Sequence, residues 1–173
     1  MTIQLISAVE LTVETGGLAA LLRDAVEHGA SIGFTLPLTE VELADYWRKV
    51  GAEIAAGHKI LLVARDTDGG VMGSAQLASE PRSNGRHRAE VQKVIVLAAH
   101  RAKGMGAALM VRLEAEARQR NRRLLFLDTS TGAGGAVKFY ERLGYRFAGG
   151  IPNYAADPDG RLVANAIFYK ELS

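Results

Sequence analysis

The spacing of hydrophobic residues changes along the chain, from a helical period in the first third to strand-like runs after residue 58. In residues 18–29 the apolar positions recur at steps of three and four, which predicts a helix with one buried face. A second helix is predicted after Thr39, because Thr39 and Glu42 have capping-box spacing and an apolar stripe follows them. Residues 4–9 predict a short first strand, so the chain begins with one strand and two helices.

The rest of the pattern alternates between strands and helices. Residues 59–66 and 71–79 flank an Asp-Thr-Asp-Gly-Gly turn and predict a β-hairpin, and residues 89–97 predict another strand. The remaining predicted elements are a helix from Met105, a strand at 124–129, a helix at 136–144 that ends on Gly144, and two strands at 145–152 and 161–172. The predicted order is β-α-α-β-β-β-α-β-α-β-β, which we expect to form a single mixed α/β domain over residues 1–173.

Composition and charge narrow the functional classes. The 173 residues are 48% hydrophobic, and 21 basic residues nearly balance 19 acidic ones with which they are interspersed, so we expect no nucleic-acid partner. No apolar run approaches the roughly 18 residues of a membrane span, and the N-terminus lacks a signal-peptide pattern, so we expect no membrane partner. The absence of cysteine excludes disulfides, thiolate metal sites and a cysteine nucleophile, and it fits a cytoplasmic protein. The four histidines lack metal-ligand spacing, so we expect no metal.

The clearest candidate site is a glycine-rich stretch, Arg-Ala-Lys-Gly-Met-Gly-Ala, at residues 101–107, directly after an apolar run. A helix that starts there would point unpaired backbone N–H groups and the positive end of its dipole at an anion. Gly104 and Gly106 would let the backbone approach that anion, and Arg101 and Lys103 would add positive charge. The stretch is neither a Walker loop nor a dinucleotide fingerprint. By itself it also fits a helix start with solvated cations.

Together with a second stretch, this motif resembles the GNAT superfamily of N-acetyltransferases. Residues 94–110 are similar to that family's acetyl-CoA motif, and residues 124–146 are similar to its second motif. The resemblance implies a GNAT-type fold, in which a mixed, mostly antiparallel twisted sheet is flanked by helices and the strand before the loop splays from its neighbour. It also implies that acetyl-CoA is the co-substrate and that it contacts Val94, Ile95, Val96, Arg101, Ala102, Lys103, Gly104, Met105, Gly106 and Ala107.

Three residues are candidates for acid–base catalysis of direct acetyl transfer to an amine. Tyr140 matches the family tyrosine beside the sulfur, and a phenol with a pKa of about 10 can protonate a leaving thiolate with a pKa of about 8.5. Glu90 and Asp128 match acidic positions of relatives, and each could accept a proton from the amine or only hold the substrate ammonium. A core tyrosine, a solvated strand-end glutamate and a capping aspartate would fit the same pattern, so the roles stay open here.

A closer resemblance concerns the acceptor. Four stretches, at residues 30–34, 88–93, 127–129 and 152–162, are similar to tabtoxin-resistance acetyltransferases, which acetylate a β-lactam amino-acid toxin. This similarity implies a small amino-acid-like amine as the substrate and toxin or antibiotic resistance as the role. The residues then expected to bind the substrate are Phe34, Glu90, Asp128 and Tyr154. Acetylation of a protein N-terminus or lysine is an alternative function, and a non-catalytic acyl-CoA sensor is another.

Three smaller features concern the coenzyme, the substrate and the oligomeric state. Several relatives carry an asparagine where Ala133 stands, so a side-chain contact to coenzyme A would be missing. Arg82, Arg86, His87 and Arg88 form a basic cluster that is either a solvated loop or the partner of a substrate carboxylate. Homodimers are common in the family, and a homodimer is expected by that analogy.

Overall fold

A seven-stranded mixed sheet with helices on both faces organises the chain. The computed structural model describes residues 1–132 and 135–173. The strands are β1 (Thr2–Ile6), β2 (Lys59–Arg65), β3 (Val71–Ser79), β4 (Arg88–Val96), β5 (Leu124–Ser130), β6 (Arg146–Gly149), β7 (Ala155–Ala156), β8 (Leu162–Val163) and β9 (Asn165–Glu171). The helices are α1 (Ala8–Glu27), α2 (Glu40–Ala55), α3 (Met105–Gln119) and α4 (Ala136–Arg142).

The large sheet has the strand order β1-β2-β3-β4-β5-β9-β6, and β7 and β8 form a separate small hairpin. Its one parallel pair within the described residues is β4–β5, whereas its other neighbouring strands are antiparallel. The predicted mixed, mostly antiparallel sheet is therefore confirmed, as is the β2–β3 hairpin.

The alternation of side chains along β2 explains why this strand is apolar throughout. Leu61 and Val63 pack into one hydrophobic cluster with α1 and α2, and Leu62 and Ala64 pack into a second cluster with α3. Successive side chains of a strand point to opposite faces, so a central strand covered on both faces needs apolar residues at every position. In the two ranges that the structure describes, no helix is both long and apolar enough to cross a membrane.

Helix α1 begins ten residues earlier than the hydrophobic period predicts, and the predicted strand at residues 4–9 stops at Ile6. Ser7 caps the helix: its hydroxyl accepts a hydrogen bond from the Glu10 amide at 3.2 Å, and the Glu10 carboxylate accepts one from the Ser7 amide at 2.8 Å. The apolar period is interrupted at Gly17, where a Cβ would lie 2.9 Å from a methyl group of Val71 on β3. Gly17 thus lets α1 pack closely against β3, but it interrupts the apolar pattern from which the helix could be predicted.

The C-terminal strands are also more divided than the sequence predicts. The run at residues 161–172 forms two strands, β8 and β9, and β8 pairs with β7, which the sequence analysis missed. The Asn165 side-chain oxygen accepts a hydrogen bond from the Ile151 amide at 2.8 Å, which holds the β6–β7 connection against the start of β9. Helix α4 ends before Gly144, whose φ of 81° confirms the predicted left-handed residue after the helix.

Candidate active site

A cleft opens where β4 and β5 separate. The two strands pair over Arg88–Glu90 and Leu124–Phe126, and beyond Glu90 strand β4 continues along β3 alone. The edge of β4 that faces β5 is therefore unpaired by a strand at residues 94–96, although the Val96 carbonyl accepts a hydrogen bond from Arg101. The cleft has a volume of about 1270 Å³, and Val94, Ile95 and Val96 lie on its wall. This geometry confirms the expected splay.

The N-terminus of α3 supplies one end of the cleft. The first helical hydrogen bond of α3 runs from the Ala108 amide to the Gly104 carbonyl at 3.0 Å, so the amides of residues 105–107 precede the helical ladder. Among the described residues no side chain caps this terminus. Three free amides at the positive end of a fifteen-residue helix form a site that fits a phosphate or pyrophosphate.

The two glycines of the motif serve different purposes. Gly104 has a φ of 83°, a left-handed conformation that favours glycine, and nothing lies within 4 Å of where a Cβ would stand. A Cβ on Gly106 would lie 3.3 Å from the ring of Phe139, so this glycine allows α4 to pack against the start of α3. We expected both glycines to let a ligand approach the backbone. In the structure, Gly104 also allows a left-handed turn, and Gly106 also allows a close contact between two helices.

The two cations of the motif differ in their position relative to the cleft. Arg101 lines the cleft and its Nε donates a hydrogen bond to the Val96 carbonyl at 3.1 Å. The Lys103 ammonium donates to the Ala99 carbonyl at 2.9 Å and, in the described chain, its side chain is not part of the cleft wall. The other residues of the stretch on the wall are Ala102, Gly104, Met105, Gly106 and Ala107. Ala133, expected to lack a coenzyme contact, falls outside the described residues.

Tyr140 lies on the cleft wall but is only 8% exposed. Its ring packs in tilted or edge-on contact with the rings of Phe139, Tyr145 and Phe168. Burial raises the pKa of the Tyr140 phenol well above its usual range, and the negative charge of Asp128 raises it further. The phenol therefore stays protonated at neutral pH and is available as a proton donor.

Glu90 and Asp128 reach the same cleft from the two strands that separate. Glu90 is half-buried, and its carboxylate accepts a hydrogen bond from the Gln92 side chain at 2.8 Å. The Gln92 oxygen in turn accepts one from Lys59 at 2.9 Å, and Lys59 forms an ion pair with Glu53 at 2.7 Å. A line of polar contacts thus fixes Glu90, whereas the more exposed Asp128 has, among the described residues, only a long 3.5 Å contact from the Asn165 amide.

Lys93 is a cleft residue that the sequence analysis missed. Gln76 pairs with Gln92 and Ser74 with Ile95, so Lys93 and Val94 together oppose a single residue of β3 in a β-bulge. Lys93 has a φ of 48°, and its ammonium lies 5.8 Å from the centre of the Tyr46 ring. Burial, with a smaller contribution from Lys59, lowers the pKa of Lys93, while Glu90 and Asp128 oppose that shift. A polar residue inside an apolar strand run was the available signal.

The aromatic candidates lie at different depths. Tyr154 is half exposed and lines the cleft. Phe34 packs edge-on against Tyr46, with ring centres 5.4 Å apart, and it is Tyr46 that lies on the wall. Within the part of the chain that the structure describes, Phe34 therefore supports the wall from behind. Its direct contact with a substrate stays a prediction.

The basic cluster lies elsewhere. Arg88 bonds to Glu80 at 3.1 Å and Arg82 approaches the same carboxylate at 3.7 Å. Across the described ranges, none of the four clustered residues is on the cleft wall, so their suggested pairing with a substrate carboxylate is wrong. His28 and His100, in contrast, line the cleft, although their spacing gave no indication of it. No group of metal-binding side chains occurs among the residues described.

Comparisons with known proteins agree with this geometry. Residues 18–145 match the model of the acetyltransferase (GNAT) family. An uncharacterized N-acetyltransferase from the hisH-hisA intergenic region of Azospirillum brasilense is 34% identical over 122 residues, which cover 68% of this chain and 70% of that protein. The chain belongs to the GNAT acetyltransferase family.

Solved structures show the same fold. Ribosomal-protein-alanine N-acetyltransferase from Brucella melitensis is 25% identical to this GNAT protein, with a TM-score of 0.78 over 99% of this chain and 100% of that one. A GNAT phosphinothricin acetyltransferase from Sinorhizobium meliloti, in complex with acetyl-CoA, is 22% identical, with a TM-score of 0.78 over 100% of this chain and 90% of that one.

This GNAT protein is an acetyl-CoA-dependent N-acetyltransferase, and acetyl-CoA is its co-substrate. The cleft fits that molecule, because the free amides of residues 105–107 suit its pyrophosphate and the unpaired edge of β4 suits its amide-containing arm. Because the protein is an acetyltransferase, the alternative of a non-catalytic acyl-CoA sensor has no support.

Proposed function

We propose that this acetyltransferase acts on the primary amine of a small amino-acid-like molecule. The observation that carries the proposal is the covered acceptor end of the cleft. The loop after α1, with Ser31 to Gly33 on the wall, is joined to the segment at 154–161 by a hydrogen bond from the Leu36 amide to the Pro158 carbonyl at 2.9 Å. Asp157 holds that segment through contacts with Arg161 at 3.0 Å. A covered pocket suits a small molecule, whereas a polypeptide needs an open groove.

The proposed reaction is direct transfer within a ternary complex. The neutral amine attacks the thioester carbonyl, a C–N bond forms and the C–S bond breaks. The proton that leaves the amine passes to Glu90 or Asp128, directly or through water, and Tyr140 protonates the departing thiolate. A carboxylate base is sufficient for a peptide N-terminal amine, whose pKa is about 8, whereas a lysine amine with a pKa of about 10.4 would need stronger assistance. The α-amine of a free amino acid is more basic than a peptide N-terminus, because its own carboxylate stabilises the ammonium, so it depends more on the base.

The proposed role is detoxification, which would follow from the charge that the reaction removes. Acetylation turns a cationic ammonium into a neutral amide, so an enzyme that recognises the ammonium of a toxin no longer binds the product. The similarity to tabtoxin-resistance acetyltransferases in four stretches of sequence supports this role, as does the structural likeness to a phosphinothricin acetyltransferase.

A second candidate is acetylation of a protein N-terminus. It is favoured by the likeness to ribosomal-protein-alanine N-acetyltransferase, which is 25% identical to this chain and matches it from end to end. An N-terminal amine has a pKa of about 8, so the catalytic groups would serve it at least as well as a free amino acid. The covered acceptor end of the cleft favours the first candidate.

A thiol-release assay with acetyl-CoA tests the proposal. The acceptors are the standard amino acids, phosphinothricin, an amino-acid β-lactam and peptides that begin with alanine. We expect turnover of amino-acid-like acceptors, with kcat/KM reduced about 100-fold in Glu90→Gln or Asp128→Asn, whichever residue acts as the base. The exposed Glu27→Gln is the matched control and should leave turnover unchanged. Turnover of the peptides alone would overturn the proposal in favour of the second candidate.

A further inference from the structure

The partly buried lysines of this protein differ in how their charges are satisfied. The Lys170 ammonium donates to both oxygens of Glu114, at 2.8 and 2.9 Å, and to the Leu143 carbonyl at 2.8 Å. Lys59 bonds to Gln92 and pairs with Glu53. Such contacts offset the cost of removing an ammonium from water. Both lysines therefore have the full set of partners expected of a structural charge.

Lys93 lacks such partners. Throughout the described ranges its ammonium has neither a hydrogen bond nor an ion pair, and its near contacts are the face of Tyr46 and the open side of Gly33, where a Cβ would lie 3.7 Å away. Partial burial costs this ammonium some of its hydration and no acceptor in the described part of the protein compensates for it, although its Nζ still reaches the solvent of the cleft. An anionic partner supplied by a ligand would remove that cost.

The backbone at Lys93 carries a further cost that points the same way. A φ of 48° places a residue with a Cβ in the left-handed region, which is sterically unfavourable. The β-bulge produces this conformation and turns the side chain into the cleft, and the Ser74 hydroxyl contacts the Lys93 carbonyl at 3.4 Å. Glycine would adopt this φ without a steric clash, so the lysine is not here because of the backbone conformation.

The charges around Lys93 form a pattern with one cation and two anions. Glu90 and Asp128 are near enough to act on its charge, but neither is in ion-pairing contact with it. An α-amino acid carries one ammonium and one carboxylate. With its ammonium attracted by Glu90 and Asp128, which both line the cleft, its carboxylate needs a cation on the same wall.

We propose that Lys93 binds the carboxylate of the acceptor and so makes this enzyme specific for amines that carry an acidic group. The proposal deepens the function proposed above and rests on it. Lys93 takes the part that the basic cluster at residues 82–88 does not have. It is a specificity-determining residue, and it takes no proton in the reaction.

The test compares each amino-acid acceptor with its own primary amide, in the wild type and in Lys93→Met. The variant keeps the length of the side chain and removes the charge. We expect kcat/KM for the amino acid to fall about 10- to 100-fold, the usual effect of removing a hydrogen bond to a charged group, while kcat/KM for the amide stays within about threefold. Lys93→Arg should keep most of the preference for the acid. The exposed Lys49→Met is the control for loss of a lysine.

Each result decides between specific interpretations. An equal loss for acid and amide would overturn the proposal and leave the proposed function standing. A matching loss of acetyl-CoA affinity would overturn it as well, because Lys93 would then serve the coenzyme. If the wild type acetylates only peptides, the proposed function fails and this inference fails with it. A melting temperature near that of the wild type confirms that Lys93→Met folds, and Lys93→Gln provides a second uncharged variant.

Discussion

The coenzyme half and the acceptor half of the cleft are built from different parts of the chain. The coenzyme half presents backbone, namely the amides of residues 105–107 and the unpaired edge of β4 beyond Glu90. The acceptor half presents side chains, and Glu90, Lys93 and Asp128 are among its ionisable ones. Backbone groups can bind pyrophosphate with almost any side chains, so the coenzyme half can stay constant in a family while side chains of the acceptor half adapt to new amines.

Tyr140 lies between the two halves, and its loss should have the largest effect. We expect Tyr140→Phe to reduce kcat by about 100-fold or more, because the leaving thiolate loses its proton donor, while the dissociation constant for acetyl-CoA changes little. Because burial holds the pKa of this phenol above its usual value, its ionisation should not lower kcat as the pH rises to about 10. Steady-state kinetics and a binding titration measure both quantities.

Tyr145→Phe is the matched control for this substitution. The Tyr145 ring centre lies 5.8 Å from that of Tyr140, and its buried hydroxyl makes no well-formed hydrogen bond among the described residues, although the Glu114 carboxylate is near enough to raise its pKa. Removing this hydroxyl should leave kcat unchanged and should not destabilise the fold. An equal loss of kcat in both variants would mean that the aromatic cluster around α4, and not the Tyr140 hydroxyl, is what turnover requires.

The difference between the halves also explains what the sequence could predict. The coenzyme half is contiguous: a strand, a glycine-rich turn and a helix within residues 94–107, each with its own local signal. The acceptor half joins residues 31–33, Tyr46, Lys93 and the segment at 154–161, which are far apart in sequence. The resemblance had placed residues 30–34 and 152–162 near the acceptor, but no local pattern singles out Lys93, so Lys93 was missed.

The errors in the fold have a related cause. The side-chain cap of Ser7 and Glu10 determines where α1 begins. The lack of a side chain at Gly17 is required by the close approach of Val71 on β3. The Ser7–Glu10 cap is a local sequence pattern and could have been predicted, whereas the need for glycine at position 17 depends on tertiary packing. The order of the helices and of the strands in the large sheet, and the β2–β3 hairpin, were predicted correctly because each depends on neighbouring residues, whereas the phosphate site stays a prediction. The single domain and the homodimer stay predictions.

A moderate effect is expected when the backbone of the coenzyme half is disturbed. Gly104→Ala puts a Cβ at a φ of 83° and should cost about 1 kcal/mol of folding free energy, with a melting temperature lower by about 2–4 °C. If the turn relaxes to relieve the strain, the amides of residues 105–107 shift and acetyl-CoA binds about 5- to 10-fold more weakly. Gly104→Asn should recover most of both losses, because asparagine tolerates the left-handed region. If Gly104→Ala and Gly104→Asn lose equal stability and affinity, backbone strain at this φ is not the cause of the losses.

The smallest effect is expected for the side chain that looks most like a phosphate ligand. Arg101 is exposed, and its Nε is already engaged by the Val96 carbonyl. If backbone amides carry the binding of pyrophosphate, Arg101→Ala should weaken acetyl-CoA only about twofold to threefold, and the difference should shrink further as salt is added. Calorimetric titration at low and high ionic strength measures this, with Lys103→Ala as the control on a cation that lies off the cleft wall. A loss of tenfold or more would mean that side chains carry the coenzyme half too, and the contrast between the two halves would no longer hold.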